Sequence, residues 1–198
     1  MKRRVDGMLL ATFLTTIFYS ATYPFIHKEI MQVASENLIA ANQIINCISI
    51  VFFGWIWNKT SKLFDYYHII CIAETLLGVI SASIATLTGN IIAYYIIDTL
   101  IFSIVTRNII CGGVKLKAMR YNTEGSRERY DNNNNTANAI GTIIGSFIAM
   151  ILKLDFIPML WLATLGNAID NAFYIVIYLK QARRLSPKIN FKKGDKTT

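Results

Sequence analysis

The sequence predicts an all-α, polytopic membrane protein of six spanning helices. Three features carry the prediction. Some 54% of the residues are hydrophobic and only 16% are charged; the apolar residues gather into six runs near bilayer length; and lysine and arginine collect in the breaks between alternate runs. A soluble domain carries about a quarter charged residues, so the deficit points to lipid as the solvent. Hydrocarbon offers the backbone no outside hydrogen-bond partner, so each run must be a helix, and about 20 residues suffice to cross.

The first run, 8–26, follows a basic start as a secretory signal would. It is longer than a signal's apolar stretch and no small-x-small cleavage site follows, so it is expected to remain as the first span. The second, 38–57, ends on Trp55 and Trp57, an aromatic belt at headgroup depth, with Lys59 and Lys62 just beyond. The third and fourth, 66–87 and 91–113, are joined only by Thr88, Gly89 and Asn90, a tight helical hairpin. Segment 114–136 is too polar to bury a core and is expected as a cytoplasmic loop. We read it as a helical extension and then a mobile or surface-lying link whose asparagine run can cap the next helix. The fifth and sixth runs, 137–154 and 156–179, meet at Asp155, and the basic tail 180–198 is a solvated end suited to anionic lipid.

Of the 20 lysines and arginines, all but Lys28, Arg107 and Lys153 fall before the first run, after the second, after the fourth and after the sixth. That asymmetry places both termini in the cytoplasm, in a plasma (inner) membrane. The net charge of +8 is therefore read as topology and not as a nucleic-acid footprint. Cys47, Cys71 and Cys111 lie inside apolar runs, are odd in number and have no metal-ligand spacing, as packed thiols would. No phosphate loop, dinucleotide fingerprint or HExxH occurs, and His27 and His68 fall on opposite predicted sides of the membrane. No enzyme, cofactor or metal site is expected. An intramembrane aspartyl protease would need Asp98 and Asp170 side by side, which their depths disfavour.

Ionisable groups inside a bilayer are costly and normally face a bundle interior or a wet cavity, which makes Glu74, Asp98, Arg107 and Asp170 the first candidates for a transport pathway or ion coupling. Glu36 sits at an outer mouth. Glu74 lies roughly 12 Å, Arg107 roughly 9 Å and Asp170 roughly 13 Å from the inner side, so these three share a layer. Glu74 and Arg107 are then candidates for an ion pair, whereas Asp98 is nearer the outer side and on the opposite face of its helix from Arg107. Uncharged polar residues at helical spacing extend the pathway: Thr12, Thr16, Tyr19 and Tyr23 on the first span, Asn42, Asn46 and Ser49 on the second, and Tyr95, Thr99 and Ser103 on the fourth. The same stripes serve equally as interhelical hydrogen-bond glue. The fifth span carries small residues at every fourth position, Ala137, Gly141, Gly145 and Ala149, which allows another helix, of this chain or of a partner, to approach closely.

The break at 54–62, GWIWNKTSK, resembles the GxxxDRxGRK loop between spans two and three of major facilitator superfamily transporters. Gly54, Lys59 and Lys62 keep their places, while Asn58 stands where the family has aspartate and Ser61 where it has glycine. VTRNIICGG around Arg107 is similar to the arginine and glycine patch in span four of the family's proton-coupled drug exporters. The small-residue row of span five is similar to the antiporters' glycine-rich motif without its proline. The resemblance implies half of such a transporter, with three spans and three spans related as an inverted repeat. It implies a cavity lined by spans one, two, four and five, a gating loop of Gly54, Asn58, Lys59 and Lys62, and secondary active transport of a small solute by alternating access. The missing half would be a second copy in a homodimer or a related six-span chain, and coupling would be to protons through Asp98, Glu74 or Asp170. Expected partners are membrane lipid, that second half and the solute, with no nucleic acid. The alternatives are a non-transporting scaffold or accessory subunit using the span-five surface, and a six-span channel or carrier of another fold.

Overall fold

A computed structural model describes residues 6–59, 65–98, 103–152 and 154–185, with the side chains of Asn58, Ser103, Ile104 and residues 182–185 left aside. Seven helices and no strand occur among the described residues. α1 (Gly7–Val33) is capped by Asp6, whose carboxylate accepts from the Met8 N–H at 2.9 Å. It runs well past its expected end at Ile26, because Pro24 inside it costs one backbone hydrogen bond and nothing stops the helix before Ala34 turns extended. α2 (Glu36–Lys59) follows at once, with the Ser35 hydroxyl accepting from Leu38 N–H at 3.3 Å and Glu36 in the favourable first turn.

α3 (Tyr67–Thr88) ends at Gly89, whose φ of 62° is the left-handed conformation that glycine adopts without penalty. Asn90 then caps α4 (Ile91–Ile97), accepting from Ala93 N–H at 3.0 Å, so the predicted hairpin has a helix stop and a helix start on adjacent residues. The fourth run, expected as one span over 91–113, is described as α4 and α5 (Ser103–Arg120), and residues 99–102 lie outside the described residues. Arg107, Lys115, Lys117 and Arg120 lower the hydropathy of α5. Five helices, α1, α2, α3, α6 (Glu124–Leu152) and α7 (Phe156–Leu185), are long and apolar enough to cross a membrane. The protein is thus all-helical and membrane-embedded.

The expected link over 114–136 is helical at both ends: α5 continues to Arg120, a short turn follows, and α6 starts at Glu124 with the asparagine run inside it. Local propensity pointed to a link, and tertiary contacts override it. The Tyr121 and Tyr130 rings stack with centroids 4.5 Å apart, Lys117 pairs with Asp131, and Arg127 Nε donates to the Tyr121 carbonyl at 2.7 Å. Lys62, Ser61, Thr99 and most of the basic tail lie outside the described residues, as does the Asn58 side chain. Of the proposed gating loop, Gly54 and Lys59 are seen at the end of α2, where Lys59 Nζ sits 4.4 Å over the Trp55 ring. Trp55 is exposed as a belt residue would be, but Trp57 is buried and donates its indole N–H to Asn108.

α1 is the axis of the bundle, packed along α6 and α7 and touching α4; α3 lies against α7, α4 and α5, and α2 packs mainly on α5. The small residues of α6 face α1: a Cβ built on Gly141 would sit 3.0 Å from the Phe13 carbonyl oxygen, and one on Gly145 2.5 Å from that of Ile17. Gly141, Gly145 and Ala149 are buried and Ala137 is half-buried, so this row serves packing within the chain. Two apolar clusters close the ends of the bundle. Met8, Trp57, Tyr67, Leu116 and Tyr178 gather at the end bearing the α1 N-terminus, and Ile26, Ile30, Tyr94, Met159 and Leu160 gather at the other.

Candidate functional site

Between the two apolar ends lies a cavity of about 770 Å³, to which every helix contributes. Its floor is built around Glu74 of α3, only 2% exposed. One Glu74 oxygen accepts from the Thr106 hydroxyl of α5 at 2.5 Å, and the other accepts from the Asn171 amide of α7 at 2.7 Å. Asn171, 1% exposed, donates also to Thr75 Oγ1 at 3.1 Å. Three helices are thereby tied through one carboxyl group at mid-depth, where an unpaired group would cost several kcal/mol, on the order of 2–7.

The network is not saturated. Asn167 approaches Glu74, and Thr15 approaches Asp170. Yet among the described residues the buried Asn167 Nδ2 and Thr15 Oγ1 complete no hydrogen bond, and both residues line the cavity.

The second polar layer lies toward the α3–α4 hairpin. Tyr94 donates its hydroxyl to Asp98 at 3.5 Å, the Asn42 amide donates to the Tyr95 hydroxyl at 2.9 Å, and Asn46 donates to Asn42 Oδ1 at 2.6 Å. Tyr19 and Tyr23 stack at 4.6 Å, and Tyr23 continues onto His27 at 5.5 Å, an aromatic ladder one helical turn apart. Tyr19 is 57% and Tyr23 45% exposed although both line the cavity. Gln43 of α2 is likewise exposed and lining. The cavity therefore opens between α1 and α2, which are joined by a two-residue turn but do not pack along their length.

At the end bearing the α1 N-terminus, Asp6 is shared. Besides capping α1 it accepts from Arg120 at 3.0 Å and from the Tyr121 hydroxyl at 2.6 Å. Burial first, and then the Asp6 carboxylate, push the Tyr121 phenol above its ordinary range, so it remains a donor. Lys117 lines the neighbouring cavity wall, its ammonium held by Asp131 and 4.9 Å over the Tyr130 ring.

The structure brings Glu74, Asp98, Asp170, Tyr19, Tyr23, Asn42 and Asn46 around one space. Arg107 is not among the lining residues and makes no ion pair among the described residues; its charge acts on Tyr19 and Cys111. The expected Glu74–Arg107 pair is replaced by Glu74–Thr106, since neighbouring positions on a helix point about 100° apart and Thr106 takes the inward one. The resemblance implied a cavity lined by spans one, two, four and five; Glu74, Gly78 and Ser81 of α3 and Asn167 and Asp170 of α7 line it as well. The sequence reading named Asp170 alone on the last span. Asn167, Asp170, Asn171 and Tyr174 follow i, i+3, i+4, i+7 spacing, a polar stripe of which Asn167, Asp170 and Tyr174 line the cavity and Asn171 reaches Glu74. Cys71 is buried, Cys111 half-buried and Cys47 exposed, all as free thiols. No protein-family model, no curated protein and no solved structure matches this chain.

Proposed function

We propose that this chain is a transporter of a small solute, working as one of a pair of six-span halves by alternating access in a plasma (inner) membrane, with both termini cytoplasmic. The observation that carries the reading is the cavity itself: a solute-sized space at mid-depth, lined by three carboxyl groups and closed above and below by apolar clusters. Ionisable groups are kept at that depth where something passes or couples. Glu74, Asp98 and Asp170 are the proposed proton acceptors.

The packing supports a division into two groups of three. If α4 and α5 are counted together as the fourth span, α1 lies on α6 and α7 as that fourth span lies on α2 and α3, and α3 crosses α7 at the centre. Exchanging the first three spans for the last three leaves this set of pairings unchanged, as an inverted repeat requires. Pairing with a second half is supported by the opening between α1 and α2. Its Tyr19, Tyr23 and Gln43 rim would present polar groups to hydrocarbon in a lone chain, and a companion laid over it would cover them. The scaffold alternative drew on the small-residue face of α6, and α1 already occupies that face.

The test is two-sided accessibility. In a cysteine-free background, Gln43→Cys and Asn134→Cys are exposed to a membrane-impermeant maleimide from either face of oriented vesicles. The reading expects both positions to react from each face, in proportions that a proton gradient shifts. Reaction from one face only, under every gradient, would rule out alternating access.

A further inference from the structure

We infer that Glu74 gains and loses its proton through one oxygen only, by way of the Thr106 hydroxyl, while Asn171 and Thr75 hold the other oxygen as the carbonyl. The inference rests on the reading of Glu74 as a proton acceptor and names the residues that govern that site.

The direction of each hydrogen bond follows from a fixed end. The Thr75 hydroxyl donates to the Cys71 backbone carbonyl at 3.1 Å, one turn back on α3. A hydroxyl has one hydrogen, so toward Asn171 Thr75 can only accept. It does so at 3.1 Å, which turns the NH2 group of the Asn171 amide, and not its oxygen, toward α3. The second hydrogen of that group goes to Glu74 Oε2 at 2.7 Å. An amide NH2 group accepts nothing, so Oε2 stays the carbonyl oxygen when the acid is neutral. Asn171 is 1% exposed, and a flip of its amide would forfeit both bonds in a buried place.

Oε1 is different. Its partner at 2.5 Å, the Thr106 hydroxyl of α5, can donate to a carboxylate and accept from a carboxylic acid. Glu74 and Thr106 both line the cavity. Thr75 and Asn171 line instead a separate, otherwise apolar recess of about 240 Å³ beside Ile72, Leu76 and Ala172, where hydrocarbon supplies no proton. The transfer balances with cavity water. The Thr106 hydrogen passes to Oε1, its old O–H bond breaking as the new one forms, while Thr106 Oγ1 takes a hydrogen from a hydronium ion and leaves water. The hydroxyl is restored, the carboxylate has become an acid, and the bond between them has reversed direction. Asn167 also approaches Glu74, but its amide nitrogen completes no hydrogen bond among the described residues. Cys71 on α3, Asp98 at the end of α4 and Asp170 on α7 are titratable groups that feel the Glu74 charge, and Arg107 follows Thr106 on α5 outside the lining.

Infrared difference spectra of the full chain in lipid nanodiscs, in water against deuterium oxide, test the assignment, because the carbonyl stretch of a neutral carboxyl group shifts when its O–H becomes O–D. The Glu74 band is the one lost in Glu74→Gln, which separates it from those of Asp98 and Asp170. A hydrogen bond to a carbonyl lowers its stretching frequency, so Asn171→Leu should raise the band, and by more than Thr106→Val does. Deuterium should enter this group equally fast in the natural chain and in Thr106→Ser, and about tenfold or more slowly in Thr106→Val. The Thr106 pair alters only a half-buried side chain and decides the matter even where Asn171→Leu does not fold. A band raised by Thr106→Val and not by Asn171→Leu, exchange in Thr106→Val as fast as in the natural chain, or no Glu74-dependent carboxyl band at any pH would overturn the inference. The two proposals fail separately: two-sided maleimide reactivity without this pattern leaves a transporter whose proton takes another route, and this pattern with one-sided reactivity leaves a proton relay in a chain that does not alternate.

Discussion

The two flanks of α1 are built in opposite ways. Toward α6 and α7 it is locked: a Cβ added at Gly145 or Gly166 would overlap the α1 backbone or the Phe18 side chain, and one at Gly141 would press on the Phe13 carbonyl oxygen and on Thr16. Toward α2 it is open, with the Tyr19–Tyr23–His27 ladder facing the cavity mouth and no close packing along the neighbouring helix. One helix thus serves as a rigid axis on one side and as the wall of the cavity on the other. Small residues set the first role by letting dispersion act over a long seam, and polar aromatic residues set the second.

Breaking the locked flank should have the largest effect. Gly145→Leu places carbon where the Ile17 carbonyl oxygen and the Ser20 Cβ already lie, at 2.5 and 2.8 Å from an added Cβ. It should destabilise the bundle by about 3 kcal/mol or more, read as loss of monodisperse protein or a lowered unfolding temperature in detergent. Unchanged unfolding would mean that the seam is looser than described. Next is the tie at the centre. Glu74→Ala leaves the Thr106 hydroxyl and the Asn171 amide without their acceptor and should cost about 2–4 kcal/mol, whereas Glu74→Gln retains one acceptor and should cost about 1 kcal/mol. Equal losses for the two variants in denaturant titrations would contradict the hydrogen-bond account. Asp6→Ala, which removes the α1 cap and the bonds from Arg120 and Tyr121, should cost about 1–2 kcal/mol by the same assay. Smallest is the open flank: in that assay Tyr23→Leu should change stability by no more than about 0.5 kcal/mol.

That contrast also explains what could be read from the chain alone. The spacing of Ala137, Gly141, Gly145 and Ala149 announced a close seam, and Gly89 with Asn90 announced the hairpin, because both are local patterns with one physical meaning. Glu74, Asp98 and Asp170 were legible as buried acids because charge at membrane depth is rare. Their partners were not. Whether Thr106 or Arg107 faces Glu74 depends on the rotation of α5 about its axis, which tertiary packing sets. The helical start of α6 was hidden for a related reason, since the Tyr121–Tyr130 stack and the Lys117–Asp131 pair form only once the chain has folded back.

Cross-linking across the open flank in native membranes bears most directly on the central claim, that the cavity mouth between α1 and α2 is covered by a second copy. Tyr23→Cys in a cysteine-free background is treated with an oxidant, and Met150→Cys on the outward, exposed end of α6 serves as the comparison. The account predicts a covalent dimer from Tyr23→Cys and little from Met150→Cys. A chain that stays single at Tyr23, with that thiol freely reactive toward a lipid-soluble maleimide, would contradict it.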